Sequence, residues 1–385
     1  MQSGGCTPVL NRSLLGVAQE AYEQGIQGQV YGAVHGLEGL LRQETINLGS
    51  LSRSEWGRIG RTPGAALGST RKKLTPDEVQ LVLNELVRQD IRYLFIIGGN
   101  DSAETGHRIG LAVQDAGYSL AVINVPKTID NDLVLCDHSP GYGSAARFVA
   151  LATMGAGRDS EAMGPASPVT ILEVMGRDAG WLAASSALAK REERDAPHLI
   201  CVPEVPIDEG RFMDTMEDTY RRFGFAVAVI AENTRGVRRI LGADEEPLYV
   251  DDFGHPYYDG PARYLAGVLS RRLKVRVRYE KPGTIQRSLM ACVSRTDAQE
   301  AEMAGRAAVR YALDGHTDQI VTLVREPGDA YRCTTGLAPL EQVANRVLTM
   351  SDEYFDPSTS FVTPRFISYL RPLVGGPLPR FGRVR

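Results

Sequence analysis

The densest chemistry in the sequence lies in Asn124-Val125-Pro126-Lys127-Thr128-Ile129-Asp130-Asn131-Asp132. Two carboxylates, two residues apart, stand beside an amine and a hydroxyl. In an extended segment, alternation turns Asp130 and Asp132 to one side. One can then act as general base and the other as ligand to a hard cation, with Lys127 as counter-charge to phosphate. An isolated Asp-Asn-Asp is more often a solvated turn whose side chains satisfy their own backbone. The weight of the motif therefore depends on its neighbours.

Three further stretches could meet it. Gly98-Gly99-Asn100-Asp101-Ser102 carries paired glycines, which let backbone approach a phosphate closely. Asp101 would repel that phosphate unless a divalent cation lay between them, and it serves equally well as a helix cap. Met175-Gly176-Arg177 offers a guanidinium suited to charge developing on a phosphoryl group. Ser3-Gly4-Gly5, before a helix expected from about Leu10 to Tyr22, can present backbone N–H groups to an anion. Such a turn normally follows a strand, yet only two residues precede Ser3, so either that strand is missing or the start lies upstream. Gly68-Ser69-Thr70-Arg71-Lys72-Lys73 reads either as a polyanion site or as a solvated charge run. It lacks the Gly-Lys-Ser/Thr ending of a Walker A loop.

The elements around these motifs place them at strand ends. Thr75, Pro76 and Glu78 form a capping box for a helix to about Gln89. Val79, Val82, Leu83, Leu86 and Val87 repeat at helical spacing and predict one apolar face. Tyr93-Leu94-Phe95-Ile96-Ile97 and Leu120-Ala121-Val122-Ile123 read as buried parallel strands separated by a helix to about Gly117. Their motifs then emerge at the carboxyl ends, where open α/β sheets bind ligands. A helix from about Gly141 to Met154, a strand Val169–Val174 and a helix ending at Lys190 follow. Further strands are expected at Leu199–Val202, Phe225–Ala231 and Ile320–Val324, with an Ala-rich helix at Asp297–Leu313. Lys274 to Tyr279 alternates, so its cations share a face, which on an edge strand is the solvent face. No repeat of fixed period and no low-complexity linker interrupts the series.

Composition bounds the function. A chain of 385 residues exceeds one simple core and suggests two domains. Net charge −4 argues against a nucleic-acid partner, and no apolar run reaches bilayer length. The expected location is cytoplasmic, without a membrane partner. Five scattered cysteines form no CxxC pair, which predicts buried thiols and no zinc site or disulfide framework.

Taken together and in order, Ser3-Gly4-Gly5, Gly68-Ser69-Thr70-Arg71, Gly98-Gly99-Asn100-Asp101-Ser102, Pro126 to Asp132, Met175-Gly176-Arg177, Pro203-Glu204 and Gly283-Thr284-Ile285-Gln286-Arg287 resemble the phosphofructokinase family. The resemblance implies two three-layer α/β/α domains with mainly parallel sheets and the active site in the cleft between them. It implies a donor-binding domain of residues 1–137 with roughly 284–325, and a fructose 6-phosphate domain of residues 138–283 with the C-terminal segment. It further implies Mg²⁺-assisted phosphoryl transfer to the 1-hydroxyl of fructose 6-phosphate.

Two residues look like the diphosphate-dependent branch, whose chemistry is nearly balanced and therefore reversible. ATP-dependent members usually carry Gly where this chain has Asp101 and Lys127. Asp101 would crowd and repel an α-phosphate bearing a nucleoside, while Lys127 compensates a smaller, fully anionic donor. The resemblance gives Asp130 as base, with Lys127, Thr128 and Arg177 catalytic beside it. Gly5, Arg71, Gly99, Asp101 and Ser102 bind the donor, and Asp101 and Asp132 hold the metal. Met175, Gly176, Arg177, Glu204, Arg278 and Arg287 join Thr128 and Asp130 around the sugar phosphate. Arg278 can come from a neighbouring subunit in the family, so a homodimer or homotetramer is implied. The chain departs from the family at Asn100, where a Mg²⁺-holding Asp is usual, at Pro168, where many bacterial members carry a substrate-binding Arg, and at Thr284, which replaces a His or Tyr. The competing readings are an ATP-dependent enzyme and a non-catalytic phosphosugar-binding or regulatory homologue.

Overall fold

The computed structural model describes residues 1–26, 28–237 and 260–384, together with 241, 249–250 and 256–257. In chain order the elements that frame the cleft are helix α1 (Leu10–Glu23), helix α2 (Pro76–Arg88), strand β1 (Tyr93–Gly98), helix α3 (Asn100–Asp115) and strand β2 (Ala121–Pro126). They continue with helix α4 (Tyr142–Met163), strand β3 (Val169–Val174), helix α5 (Trp181–Ser185), strand β4 (Leu199–Cys201), helix α6 (Glu209–Phe223) and strand β5 (Ala226–Ala231). Helix α7 (Pro261–Leu273), strand β6 (Val277–Glu280), helix α8 (Arg295–Leu313), strands β7 (Gln319–Arg325) and β8 (Cys333–Pro339), and helix α9 (Pro364–Leu370) complete the set.

Among the described residues, β8-β7-β2-β1 form one sheet and β6-β3-β5-β4 another. All pairs are parallel except β7–β8. Each sheet is covered on both sides. Ile97, Ile123 and Val125 face α1 and α8, while Leu94, Ile96 and Val122 face α2 and α3. In the second sheet Leu172, Val174 and Val229 face α4 and α5, and Ile171, Ala228 and Ile230 face α6 and α7. This is why the strands read as unbroken apolar runs: both faces are dry.

The α2 capping box forms as the sequence predicts, with Thr75 and Glu78 each accepting from the other's backbone N–H. Val87 departs from the expected face. It is 45% exposed because the helix ends one residue later and position i+8 turns away from the sheet. α4 runs nine residues past the expected Met154, to Met163. The helix expected to reach Lys190 is α5 followed by a 3₁₀ turn to Ala189. β8 was not expected. It carries Gly336 and ends in Pro339, which an edge strand tolerates, and it carries the first sheet past the residue-325 boundary.

In place of a full strand, Met1 to Ser3 run parallel to the end of β1. Met1 Nα donates to Phe95 O at 2.7 Å, Ile97 N to Met1 O at 2.9 Å and Ser3 N to Ile97 O at 2.9 Å. Burial pushes the Met1 amine down to about 5. Along the rest of that edge lies a channel of 420 Å³ walled by Leu14, Val17, Leu86, Tyr93 and Phe95.

Candidate active site

The carboxyl ends of both sheets open onto one cavity of 300 Å³. From the first sheet come Gly4, Gly5 and Cys6, Arg71, the 99–102 turn after β1, and Lys127, Thr128, Ile129, Asp130 and Asp132 after β2. From the second come Met175 and Arg177 after β3, Glu232 after β5, and Thr284 and Arg287 after β6.

The N-terminal turn is shaped by its glycines. Gly4 has φ +77°, a left-handed conformation that side chains rarely adopt, and Lys127 Nζ lies 3.1 Å from where its Cβ would be. Gly4 N donates to Thr70 O at 2.8 Å and Ser69 Oγ to Gly4 O at 2.6 Å, so the Gly68-to-Arg71 stretch is bound to this turn. Of the three adjacent cations only Arg71 lines the cavity. Lys72 pairs with Glu78 at 2.7 Å, and Lys73 lies 3.9 Å from Asp101. The polyanion reading of that run thus applies to one residue of three.

After β1, Gly99 is the N-cap of α3 and Asp101 lies in its first turn. Asp101 is therefore not the cap, and its backbone N–H donates to Asn100 Oδ1 at 2.8 Å. The Asp101 carboxylate is left to the cavity. Ser102 also lines it, with its hydroxyl donating to Ser3 Oγ at 2.8 Å.

The carboxylate loop is not extended as the alternation argument supposed. The chain bends at Ile129 and Asp130, and Asn131, between the two acids, adopts a left-handed φ of +58°. Both acids nevertheless line the same cavity. Thr128 Oγ1 accepts from Asp130 N at 3.1 Å. Burial raises both carboxyls, and for Asp130 the charges of Asp132 and Glu232 add to it, taking it to about 7. Burial lowers Lys127 to about 8. The residue is 4% exposed, and it lines the cavity.

On the opposite wall, Met175 N donates to Gln286 Oε1 at 3.1 Å, which joins the turn after β3 to the turn after β6. Gly176 has φ +117°, with Ala179 O 2.7 Å from a notional Cβ. It shapes the turn that presents Met175 and Arg177 without itself lining the cavity.

Two further expected substrate residues lie elsewhere. Glu204 accepts from Gly180 N and Met350 N, both at 2.9 Å, and caps the start of α5. Arg278 reaches away to Asp159 Oδ2 at 2.5 Å and Ser160 Oγ at 3.4 Å. The cleft instead holds Glu232 and Cys6, which the sequence reading passed over. Glu232 follows an apolar parallel strand directly, and that position was the available signal.

The lining thus sets Arg71, Lys127, Arg177 and Arg287 against Asp101, Asp130, Asp132 and Glu232. Such a site takes phosphoryl groups on its cations, provided a divalent cation offsets its carboxylates. The oxygen donors of Asp101 and Asp132 suit a hard ion such as Mg²⁺.

Residues 1–312 match the family model described as "Phosphofructokinase". The chain is similar to the pyrophosphate–fructose 6-phosphate 1-phosphotransferase of Rhodospirillum rubrum, 37% identical over 100% of this chain and 95% of the relative. It is also similar to that of Xanthomonas campestris pv. campestris, 37% identical over 98% and 91%. The crystal structure of a pyrophosphate-dependent phosphofructokinase from Nitrosospira multiformis superposes with a TM-score of 0.88 at 32% identity, covering 99% of this chain and 92% of that one.

Proposed function

The chain belongs to the phosphofructokinase family, and from that premise we propose that it transfers a phosphoryl group from diphosphate to the 1-hydroxyl of fructose 6-phosphate, giving fructose 1,6-bisphosphate. The observation that carries the donor assignment is the joint presence in one cavity of Asp101 and Lys127, the latter a largely buried residue. A nucleoside on the donor would bring its α-phosphate against Asp101, whereas diphosphate offers Lys127 a compact anion.

In this reading Asp130 accepts the proton of the 1-hydroxyl as that oxygen attacks the terminal phosphorus and the bridging P–O bond breaks, releasing phosphate. Lys127 and Arg177 hold charge spread over the transferring group, since positioning and electrostatics dominate such reactions. Asp101 and Asp132 would hold Mg²⁺, which when bound neutralises donor charge. Thr128 keeps Asp130 in register. Arg287, Met175 and Glu232 face the sugar phosphate. Arg278, held outside its own cleft by Asp159, is assigned to a neighbouring subunit's site in a homodimer or homotetramer.

The test is fructose 6-phosphate phosphorylation with Mg²⁺, offering diphosphate and ATP separately to one preparation. Turnover with diphosphate alone is expected, and an Asp101→Gly, Lys127→Gly double variant should begin to accept ATP. Turnover with ATP alone would overturn the donor assignment, and silence with both would overturn the enzyme reading in favour of a binding homologue.

A further inference from the structure

The loop that carries Asp130 and Asp132 is held from behind by residues that never reach the cavity. Asn131, between them, is 1% exposed yet left-handed, a conformation that persists only where surroundings over-determine it. Both ends of its side-chain amide are engaged. Oδ1 accepts from Ser139 N at 2.9 Å, and Nδ2 donates to Tyr369 Oη at 2.9 Å. The same tyrosine hydroxyl donates to Asp137 O at 2.8 Å, so one oxygen ties residue 131 to residue 137.

Tyr369 is itself immobilised. It sits in α9, with ring centroids 5.7 Å from Trp181, 5.3 Å from Tyr354 and 6.1 Å from Phe366, and the Arg325 guanidinium lies 4.6 Å over its ring. The same cluster grips the loop a second time. Trp181 Nε1 donates to Leu348 O at 3.0 Å, and Leu348 N donates to Asp132 O at 2.7 Å. Resting on the phosphotransfer reading above, we propose that Asn131 and Tyr369 are positioning residues: their buried hydrogen bond holds the left-handed conformation between the two carboxylates that line the cleft.

Neither side chain lines the cavity, so loss of the link should act on turnover rather than on substrate affinity. Tyr369→Phe deletes the hydroxyl, and Asn131→Gly keeps the backbone conformation while deleting the side chain. Tyr142→Phe is the control. That buried hydroxyl donates to Trp181 O at 3.1 Å and takes no part in the Asn131–Tyr369–Asp137 bonds. Each of the first two variants should lose about ten- to a hundred-fold in kcat, the scale of a small misplacement at a reacting centre, with KM for fructose 6-phosphate within about threefold. The double variant should lose less than the product of the two singles, because both cut the shared Asn131–Tyr369 bond. Hydrogen exchange in residues 128–140 should quicken in both and stay unchanged in Tyr142→Phe.

A Tyr369→Phe enzyme with wild-type kcat, multiplicative losses in the double variant, or an equal kcat loss in Tyr142→Phe would overturn the proposal. A wild type silent towards diphosphate and fructose 6-phosphate would sink the phosphotransfer reading instead. The exchange measurement would then stand alone, with unchanged rates in both variants refuting the link.

Discussion

Gly5 offers a sharp test of how the two halves of the cleft meet. It lies in the N-terminal turn, while Arg287 comes from the turn after β6, 282 positions away by number, and both line the cavity. A Cβ added at Gly5 would lie 2.5 Å from Arg287 Nη1 and 3.7 Å from Cζ. No real Cβ tolerates the first distance, so something moves. The obstructing atom is the far end of a long side chain, which yields more readily than backbone, so Gly5→Ala should displace the guanidinium and leave the fold intact. A charge-assisted hydrogen bond to the sugar phosphate is worth about 1.5–3 kcal/mol, which converts to roughly 10- to 150-fold in kcat/KM for fructose 6-phosphate. The melting temperature should change little. The assay is steady-state kinetics of Gly5→Ala, Arg287→Ala and the double variant. The single variants should match in kcat/KM, and the double should fall no further than Arg287→Ala. An unchanged kcat/KM in Gly5→Ala, or a double variant losing the product of the two, would refute the idea that Gly5 exists to seat Arg287.

Two other expectations concern protons. Asp130 must be ionised to accept one, so kcat/KM should rise with pH through its raised value of about 7; Asp130→Asn should cost about 10²- to 10⁴-fold in kcat with little change in KM, and near-normal turnover would remove Asp130 from the role of base. At His138, burial would lower the imidazole, but hydrogen bonds from Nδ1 to Asp137 at 2.8 Å and from Nε2 to Glu300 at 2.7 Å outweigh it and raise it to about 9. A folded value above the unfolded one of about 6.5 gives stabilisation that is complete below pH 6.5 and lost as pH rises through 9, at most on the order of 3 kcal/mol. Because the buried Met1 amine contributes the opposite slope between 5 and 8, the measurement is the difference in urea stability between wild type and His138→Gln across pH 6 to 9.5. A difference that does not shrink with pH would contradict the charged clamp.

What the sequence made legible follows from which physical rules are local. Apolar runs, glycine turns and the Thr75–Glu78 box depend on neighbours a few residues away, so the strands, the α2 start and the strand-end motifs were readable. Lys127, Asp130 and Arg177 followed, because a parallel strand delivers whatever succeeds it to the same edge. Glu232 obeys that rule too and was overlooked, for it brings no glycine or second charge to announce it. Glu204 stands outside the cavity lining for the converse reason. It has the same strand-end address, but its Oε1 is claimed by the N–H groups of Gly180 and Met350, and the second of these is 146 residues distant. Address is written locally, whereas occupancy is settled by whichever partner arrives from afar. Asn131 shows the same division at the centre of the site. Asp-Asn-Asp reads as alternation until Tyr369, from the far end of the chain, supplies the bond that lets the middle residue stand left-handed. The carboxylates therefore share a cleft across a left-handed residue, and the sequence evidence for that conformation lies 238 residues away.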